Sequence, residues 1–320
     1  MESLKEPIKI LLHYDAGPAW RREVASLGDQ GLYVECCAES DDAMFDALLP
    51  ETDVIWHLLR PLSAVDIAKA RKLRLIQKIG VGLNTIDLNA AKERNIAVCN
   101  MPGSNSRAVA ELTLLLMLAC LRRLPLLDRM TREGRGWRLD SSLQDTFGEL
   151  GGRTVGFVGY GNIPKILTPA LLALGANVIY AATAPKSIDG VHFRSLSELL
   201  AEADIVSLHT PLTAATTKLI DRGRLASMRP GAILINTARG GLVDQSALLD
   251  ALRSRHLGAA GLDVFATEPL VDDPLLRLDN VVVLPHIAWL TVNTLQRSLA
   301  VAVENCRRLA AGESLLHRVV

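Results

Sequence analysis

Four short stretches of this 320-residue chain carry residues whose types and spacing could do chemistry. The first is Gly159-Tyr160-Gly161-Asn162-Ile163-Pro164, a glycine turn between an apolar run rich in β-branched residues (154–158) and a segment of helical apolar pattern (163–174). The run reads as a strand buried on both faces, and the glycine turn that leaves it aims backbone N–H groups at a phosphate. The following helix adds unsatisfied N–H groups and the positive end of its dipole at the same point, so a pyrophosphate would sit there. The other three stretches each follow an apolar run: Thr237-Ala238-Arg239-Gly240-Gly241, then Val264-Phe265-Ala266-Thr267-Glu268-Pro269, then Pro285-His286. Ligands of a doubly wound sheet lie at the carboxyl ends of its strands, so an arginine, an acid and a histidine would converge on the cofactor face. Singly, Arg239 reads as a surface cation, Glu268 as a solvated loop acid and His286 as a satisfied core histidine; jointly those bland readings lose ground.

The elements that must position these residues alternate along the chain. Strands are expected at 8–13, 32–36, 53–57, 75–79 and 96–99, with helices at 19–27, 42–49, 64–72 and 88–94. Strands regularly separated by helices argue for a parallel sheet covered on both sides, a first domain of about 100 residues. A long apolar helix (106–123) and a polar, arginine- and glycine-containing stretch (128–150) lead into a second series, with strands at 154–158, 177–181, 204–208, 232–236, 259–263 and 281–284. Six strands with intervening helices fit a doubly wound nucleotide fold. Pro164 stands where a dinucleotide fingerprint has its third glycine; a proline is tolerated in the first helical turn, whereas Pro169 is predicted to bend the same helix. The last amphipathic segment, capped by Thr291 and running to residue 311, is predicted to cross back and pack on the first domain.

Composition narrows the function classes. Hydrophobic residues make up 49% and charged residues 22% of the chain, the balance of a globular protein. Lys+Arg and Asp+Glu both number 35, which leaves no electrostatic case for nucleic acid or an anionic membrane as main partner. The one local exception, Arg129, Arg132, Arg135 and Arg138, reads as a solvated or subunit-contacting loop. The five cysteines (Cys36, Cys37, Cys99, Cys120, Cys306) are odd in number and lack metal-ligand spacing, which suits a reducing compartment and argues against a metal site. With a polar start over residues 1–7 and a longest apolar run (112–121) too short to span a bilayer, a cytoplasmic location is expected.

At this point the chain resembles a known family, the D-isomer-specific 2-hydroxyacid dehydrogenases. The resemblance is carried by Gly80-Val81-Gly82-Leu83-Asn84-Thr85-Ile86-Asp87, Ala110-Glu111-Leu112-Thr113, Glu149-Leu150-Gly151-Gly152-Arg153-Thr154-Val155-Gly156, Ser207-Leu208-His209-Thr210-Pro211-Leu212-Thr213, Asn236-Thr237-Ala238-Arg239-Gly240, Leu262-Asp263-Val264-Phe265 with Glu268-Pro269, and Pro285-His286-Ile287-Ala288. They occur in the family's order, with 29 residues from Arg239 to Glu268 and 18 on to His286.

The resemblance implies an α/β chain of two doubly wound parallel-sheet domains. A smaller flavodoxin-like, substrate-binding domain would take residues 1–104 and 291–320, and an NAD(P)-binding Rossmann domain residues 105–290. It also implies a cytoplasmic, metal-free reductase of small 2-oxoacids, of the glyoxylate or hydroxypyruvate class, that yields (R)-2-hydroxyacids. Arg239 would hold the substrate carboxylate and keto oxygen with its planar fork of donors. His286 would give a proton to the carbonyl oxygen as hydride reaches the carbon, and Glu268 on its other ring nitrogen would favour the imidazolium form. Val81 and Gly82 would offer backbone N–H groups to the substrate carboxylate, making the cleft between the domains the active site. Asp263 would meet the nicotinamide carboxamide, while Gly159, Gly161, Asn162, Ile163, Thr210, Pro211, Thr216, Thr237 and Ala238 fall at cofactor contacts. Trp289 could wall the substrate pocket, and Arg60, after the strand at 53–57, would suit a substrate with a polar or anionic tail. A homodimer through residues 106–123 and 128–150 is implied as well.

Besides Pro164 in place of the last fingerprint glycine, two more stretches depart from the family pattern. Ala288-Trp289 replaces smaller residues after the histidine, and Tyr180-Ala181-Ala182-Thr183 lacks the acid that usually grips the adenosine ribose. Thr183 can donate a hydroxyl and Lys186 a charge to a 2′-phosphate, whereas Asp189 could swing in to favour NAD, so the lean toward NADP is slight. Oxidation of formate or phosphite on the same fold, or a nicotinamide-sensing corepressor that uses the cofactor as a switch, are the alternative functions.

Overall fold

The computed structural model describes residues 6–320; Met1–Lys5, most of the polar start, lie outside the described residues. The chain forms two compact units, one reaching Asn105 and resuming over Thr291–Val320, the other spanning Ser106–Leu290.

In the first unit β1 (Ile8–His13), β2 (Leu32–Cys37), β3 (Val54–His57), β4 (Leu75–Lys78) and β5 (Ala97–Cys99) pair in parallel in the order β2-β1-β3-β4-β5. This is the flavodoxin-like order. β3 and β4 are buried at every position; β3 reads as a near-continuous apolar run, whereas β4 buries Gln77 and Lys78 beside Leu75 and Ile76. The helix Val292–Ala311 belongs to this unit, and its cap is the Thr291 hydroxyl, which accepts the Thr294 N–H at 3.0 Å. Thr294, Ser298, Ala302, Asn305 and Cys306 recur at helical spacing on its buried face, where Asn305 Nδ2 donates to Gln77 Oε1 of β4 at 2.6 Å. The open edge at β5 is covered by the C-terminal tail, whose Val319 N–H donates to Val98 O at 2.8 Å.

The second unit holds β6 (Thr154–Val158), β7 (Asn177–Ala181), β8 (Val191–Phe193), β9 (Ile205–Leu208), β10 (Ala232–Asn236), β11 (Leu257–Leu262) and β12 (Val281–Val283). All pair in parallel in the order β12-β11-β10-β9-β6-β7-β8. Strand order reverses between β6 and β9, so the turn after β6 lies at the topological switch point where such folds bind ligands. Val158, Val206, Leu208, Leu234 and Leu262 pack on one face of the sheet and Val155, Phe157, Tyr180, Ile205 and Ile235 on the other. Each such side chain contributes roughly 1.5–3 kcal/mol of burial, and together they hold the strand ends rigidly.

Three details differ from the sequence reading. The sheet has a seventh strand, β8, a three-residue edge strand in which only Val191 is buried, too short to show a period. The long helix stops at Leu121, because Arg123 adopts a left-handed backbone with φ 49°. The stretch after residue 123 is not irregular throughout: it holds the helices Leu124–Arg132 and Ser141–Gln144, neither with a buried residue. In that stretch Arg132 pairs with Asp128 at 2.9 Å and Arg135 with Glu133, both solvated. The helix Asn162–Ala173 is one continuous element with Pro169 inside it, and Pro164, third in its first turn, displaces no intrahelical bond. Among the described residues no helix is long and apolar enough to cross a membrane.

Candidate active site

The loop after β10 is closed by the strand's own last residue. Asn236 is buried; its Oδ1 accepts the Ala238 N–H at 3.0 Å and its Nδ2 donates to Arg239 O at 2.9 Å. Thr237 Oγ1 lies 3.0 Å from Thr113 Oγ1 on the long helix, fixing the same loop from behind. Arg239 is therefore presented on a turn with little freedom, its guanidinium donating to Ala238 O at 2.6 Å. Burial pulls its pKa down and the nearby Glu268 carboxylate pushes it up, but a guanidinium keeps its charge at any physiological pH.

Gly240 is what lets this loop meet the next one. A Cβ built on it would stand 1.9 Å from the carbonyl carbon and oxygen of Phe265, a clash with backbone that no rotamer relieves. Gly240→Ala is accordingly expected to cost about 3–5 kcal/mol and to lower the thermal midpoint by about 10 °C or more. Gly241→Ala, whose Cβ would meet only the movable Leu212 side chain at 2.9 Å, is the milder control. Equal midpoints for the two variants would contradict the role given to Gly240.

Beyond β11 the Glu268 carboxylate is held at both oxygens. Oε1 accepts the Phe265 N–H at 2.9 Å, and Oε2 lies 2.7 Å from His286 Nδ1. Burial pushes this carboxyl up, but the hydrogen bond and charge of His286, the Phe265 amide and Arg239 together hold it below its ordinary value. A depressed carboxylate stabilises the fold fully above its unfolded value of about 4.5, and that contribution disappears as pH falls through the folded value. The stability difference between wild type and Glu268→Gln should therefore shrink below about pH 4.5 in a series of denaturant melts. A constant difference down to acid pH would contradict it.

His286 has φ 57°, a left-handed backbone that carries strain in an ordinary residue. Three contacts hold it: its N–H donates to Asp263 O at 2.8 Å, and Asp263 Oδ1 and Oδ2 accept the Ile287 and Ala288 N–H groups at 2.8 and 2.9 Å. The Trp289 indole N–H closes the turn by donating to His286 O at 3.0 Å. With Nδ1 taken by Glu268, Nε2 is the ring nitrogen left for proton exchange. Asp263 is fully buried and serves this turn with both carboxylate oxygens, a role that its place in the sequence did not suggest.

On the cofactor side Gly159 has φ 93°, and a Cβ on it would lie 2.6 Å from His209 O, so the turn and the loop after β9 approach as only glycine permits. Gly161 is the N-cap of the helix that begins with Asn162 and Ile163. Thr210 and Pro211 follow β9, where Thr216 Oγ1 accepts the Thr213 N–H and donates to Pro211 O, both at 2.7 Å. β7 ends at Ala181, after which Ala182 and Thr183 bring no carboxylate. A tight glycine turn set against a helix N-terminus, with open space beside Gly161, fits the pyrophosphate of a dinucleotide.

Val81 and Gly82 belong to the first unit, after β4. Gly80 there has φ 138° and its carbonyl accepts the Met101 N–H at 2.8 Å, while Val81 O accepts from Asn100 Nδ2 at 3.0 Å and the Val81 side chain is exposed. In the same unit Arg60 is engaged on three sides. Its guanidinium pairs with Asp42, donates to Glu39 O at 3.2 Å and lies 5.4 Å from the centroid of the Phe45 ring.

Glu268 and His286 meet, with Arg239 near Glu268, in the loops that follow β10, β11 and β12 of the second unit. Asn236 and Gly240, to which the sequence alone assigns no role, position Arg239. An Asn at a strand end followed by Thr-Ala-Arg-Gly is the signal of a side-chain-closed turn that could have found Asn236.

The fold and site together define a dinucleotide-binding α/β protein with an acid–base pair and a cation at the carboxyl edge of its nucleotide sheet. The family description D-isomer specific 2-hydroxyacid dehydrogenase, NAD binding domain, matches residues 114–288. The chain is 42% identical over 297 residues to a D-3-phosphoglycerate dehydrogenase of Mycobacterium tuberculosis, covering 91% of this chain and 55% of that one. It thus spans about half the length of the first curated relatives it matches. A hydroxypyruvate reductase of Thermotoga maritima is 40% identical over 264 residues, 81% of this chain and 84% of its own. Among solved structures, a Thermus thermophilus protein superposes with a TM-score of 0.88 at 39% identity over 98% of this chain and 100% of its own. The chain belongs to the D-isomer-specific 2-hydroxyacid dehydrogenase family.

Proposed function

We propose that this protein reduces small 2-oxoacids of the glyoxylate or hydroxypyruvate class to (R)-2-hydroxyacids with a nicotinamide dinucleotide. The observation that carries the reading is the 2.7 Å contact of Glu268 with His286 Nδ1, beside Arg239, on the sheet that bears the Gly159 turn. The dinucleotide, when bound, supplies the hydride. Gly159, Gly161, Asn162 and Ile163 hold its pyrophosphate, with Thr183, Thr210, Pro211, Thr216, Thr237, Ala238 and Asp263 around it.

Arg239 fixes the 2-oxoacid through its carboxylate and keto oxygen, since a planar fork of permanently charged donors fits that pair of acceptors. His286 gives the Nε2 proton to the keto oxygen as the carbon is reduced, and Glu268, 2.7 Å from Nδ1, orients its ring. Val81 and Gly82 act as N–H donors to the substrate carboxylate. By these roles residues 105–290 form the cofactor domain and residues 1–104 with 291–320 the substrate domain. We place the protein in the cytoplasm and as a homodimer; exposed Leu115, Leu118, Leu124 and the 88%-exposed Trp137 are the apolar surface that a second copy would cover.

Engagement of Arg60 by Asp42, Glu39 and Phe45 favours an uncharged tail over a phosphorylated one, because that cation already has its acceptors. Initial rates with glyoxylate, hydroxypyruvate and 3-phosphohydroxypyruvate, followed by NADH and NADPH absorbance, test the assignment. The two unphosphorylated acids should show the higher kcat/KM; a phosphorylated substrate preferred by more than about tenfold, roughly 1.4 kcal/mol, would reverse the substrate class.

A further inference from the structure

Tyr180 is fully buried in β7, yet its hydroxyl reaches forward along the chain. It donates to Lys186 O at 2.8 Å and accepts the Lys186 N–H at 2.5 Å, clamping both backbone groups of one residue. Its ring lies 4.9 Å from that of Tyr160, the middle residue of the glycine turn, and 5.6 Å from Phe193 of β8. Tyr160 is fixed in turn by its hydroxyl, 2.8 Å from Thr168 Oγ1. The loop after β7 and the glycine turn after β6 therefore share one aromatic base. On that base Lys186 Nζ comes to 3.5 Å from Tyr160 O.

In a dinucleotide fold the loop after the second strand decides which adenosine ribose is accepted. A carboxylate there accepts from the 2′- and 3′-hydroxyls of NAD, and a cation there takes the 2′-phosphate of NADP. Ala181, Ala182, Thr183, Ala184 and Pro185 supply no acid, and the first one in sequence, Asp189, lies at the exposed tip of the turn bridged by Ile188 and Val191. The charge delivered beside the glycine turn is an ammonium. We propose that Lys186 is the residue that selects NADP by pairing with its 2′-phosphate, and that Tyr180 is the positioning residue that holds it there.

This inference rests on the nicotinamide reading of the site, so its test uses binding alone, with no 2-oxoacid present. NADPH and NADH are titrated into the wild-type protein, Lys186→Gln and Tyr180→Phe, and bound-cofactor fluorescence gives each Kd. The wild type should bind NADPH at least as tightly as NADH. Lys186→Gln should weaken NADPH about three- to tenfold, the range of an exposed charge pair with a phosphate, while NADH stays within about twofold. Added salt should erode the NADPH preference of the wild type more than NADH affinity. Tyr180→Phe keeps the ring and should move NADPH in the same direction, with its thermal midpoint showing that the fold is retained. Equal effects of Lys186→Gln on both cofactors, or none on either, would overturn the assignment of Lys186. Loss of NADPH affinity in Lys186→Gln but not in Tyr180→Phe would overturn the positioning role alone. Failure of the wild type to bind either cofactor would instead remove the nicotinamide reading, and this inference with it.

Discussion

His286→Ala is expected to lower the turnover of hydroxypyruvate by about 10²–10⁴-fold, the ordinary contribution of a positioned general acid, with cofactor affinity little changed. The loss follows from geometry: Nδ1 is held by Glu268 at 2.7 Å, so Nε2 is the group that can exchange the proton, and nothing in alanine replaces it. The backbone at this position has φ 57°, which alanine adopts at a cost of roughly 1–2 kcal/mol. His286→Asn separates chemistry from strain, because asparagine tolerates the left-handed region yet cannot serve as the acid. Both variants should be equally inactive, whereas Glu268→Gln, which keeps the imidazole and its Nε2, should stay active. Near-normal turnover in either His286 variant would show that the proton comes from elsewhere.

Arg239→Lys should be almost as damaging to 2-oxoacid reduction, about 10²–10³-fold in kcat/KM, although the charge is conserved. The turn built by Asn236 fixes where the side chain starts, and the arginine already directs one N–H to Ala238 O, leaving the rest of its fork for a planar pair of acceptors. An ammonium is a point charge and cannot span both the carboxylate and the keto oxygen. Cofactor Kd should stay within about twofold, because the role proposed for Arg239 is toward the substrate and not the dinucleotide. Equal losses in both titrations would move Arg239 into the cofactor site.

The parts of this architecture legible in the sequence are those with a strong local cause. Buried parallel strands such as β3 and β10 announce themselves as apolar runs, and Gly159, with φ 93°, marks a turn that no other residue type makes easily. Arg239, Glu268 and His286 were found because strand ends are where such sheets place ligands, a rule of topology rather than of composition. What stayed hidden depends on contacts between distant segments. The need for glycine at 240 arises only from Phe265, and the duty of Asp263 arises only from the amides 24 and 25 residues on. The Tyr180 clamp on Lys186 is of the same kind, a buried aromatic whose hydroxyl partner lies in a loop without periodicity. β8 escaped because three residues, one of them buried, carry too little pattern.

The central claim is that hydride reaches one face of a 2-oxoacid held by Arg239 while His286 supplies the proton. The most direct test is to incubate the protein with hydroxypyruvate and a reduced nicotinamide cofactor, count the cofactor oxidised, and resolve the product on a chiral column. The account predicts one glycerate formed per cofactor oxidised, all of it the (R)-enantiomer, and none with His286→Ala over the same time. Formation of (S)-glycerate or a racemate, or oxidation of cofactor without glycerate, would contradict it.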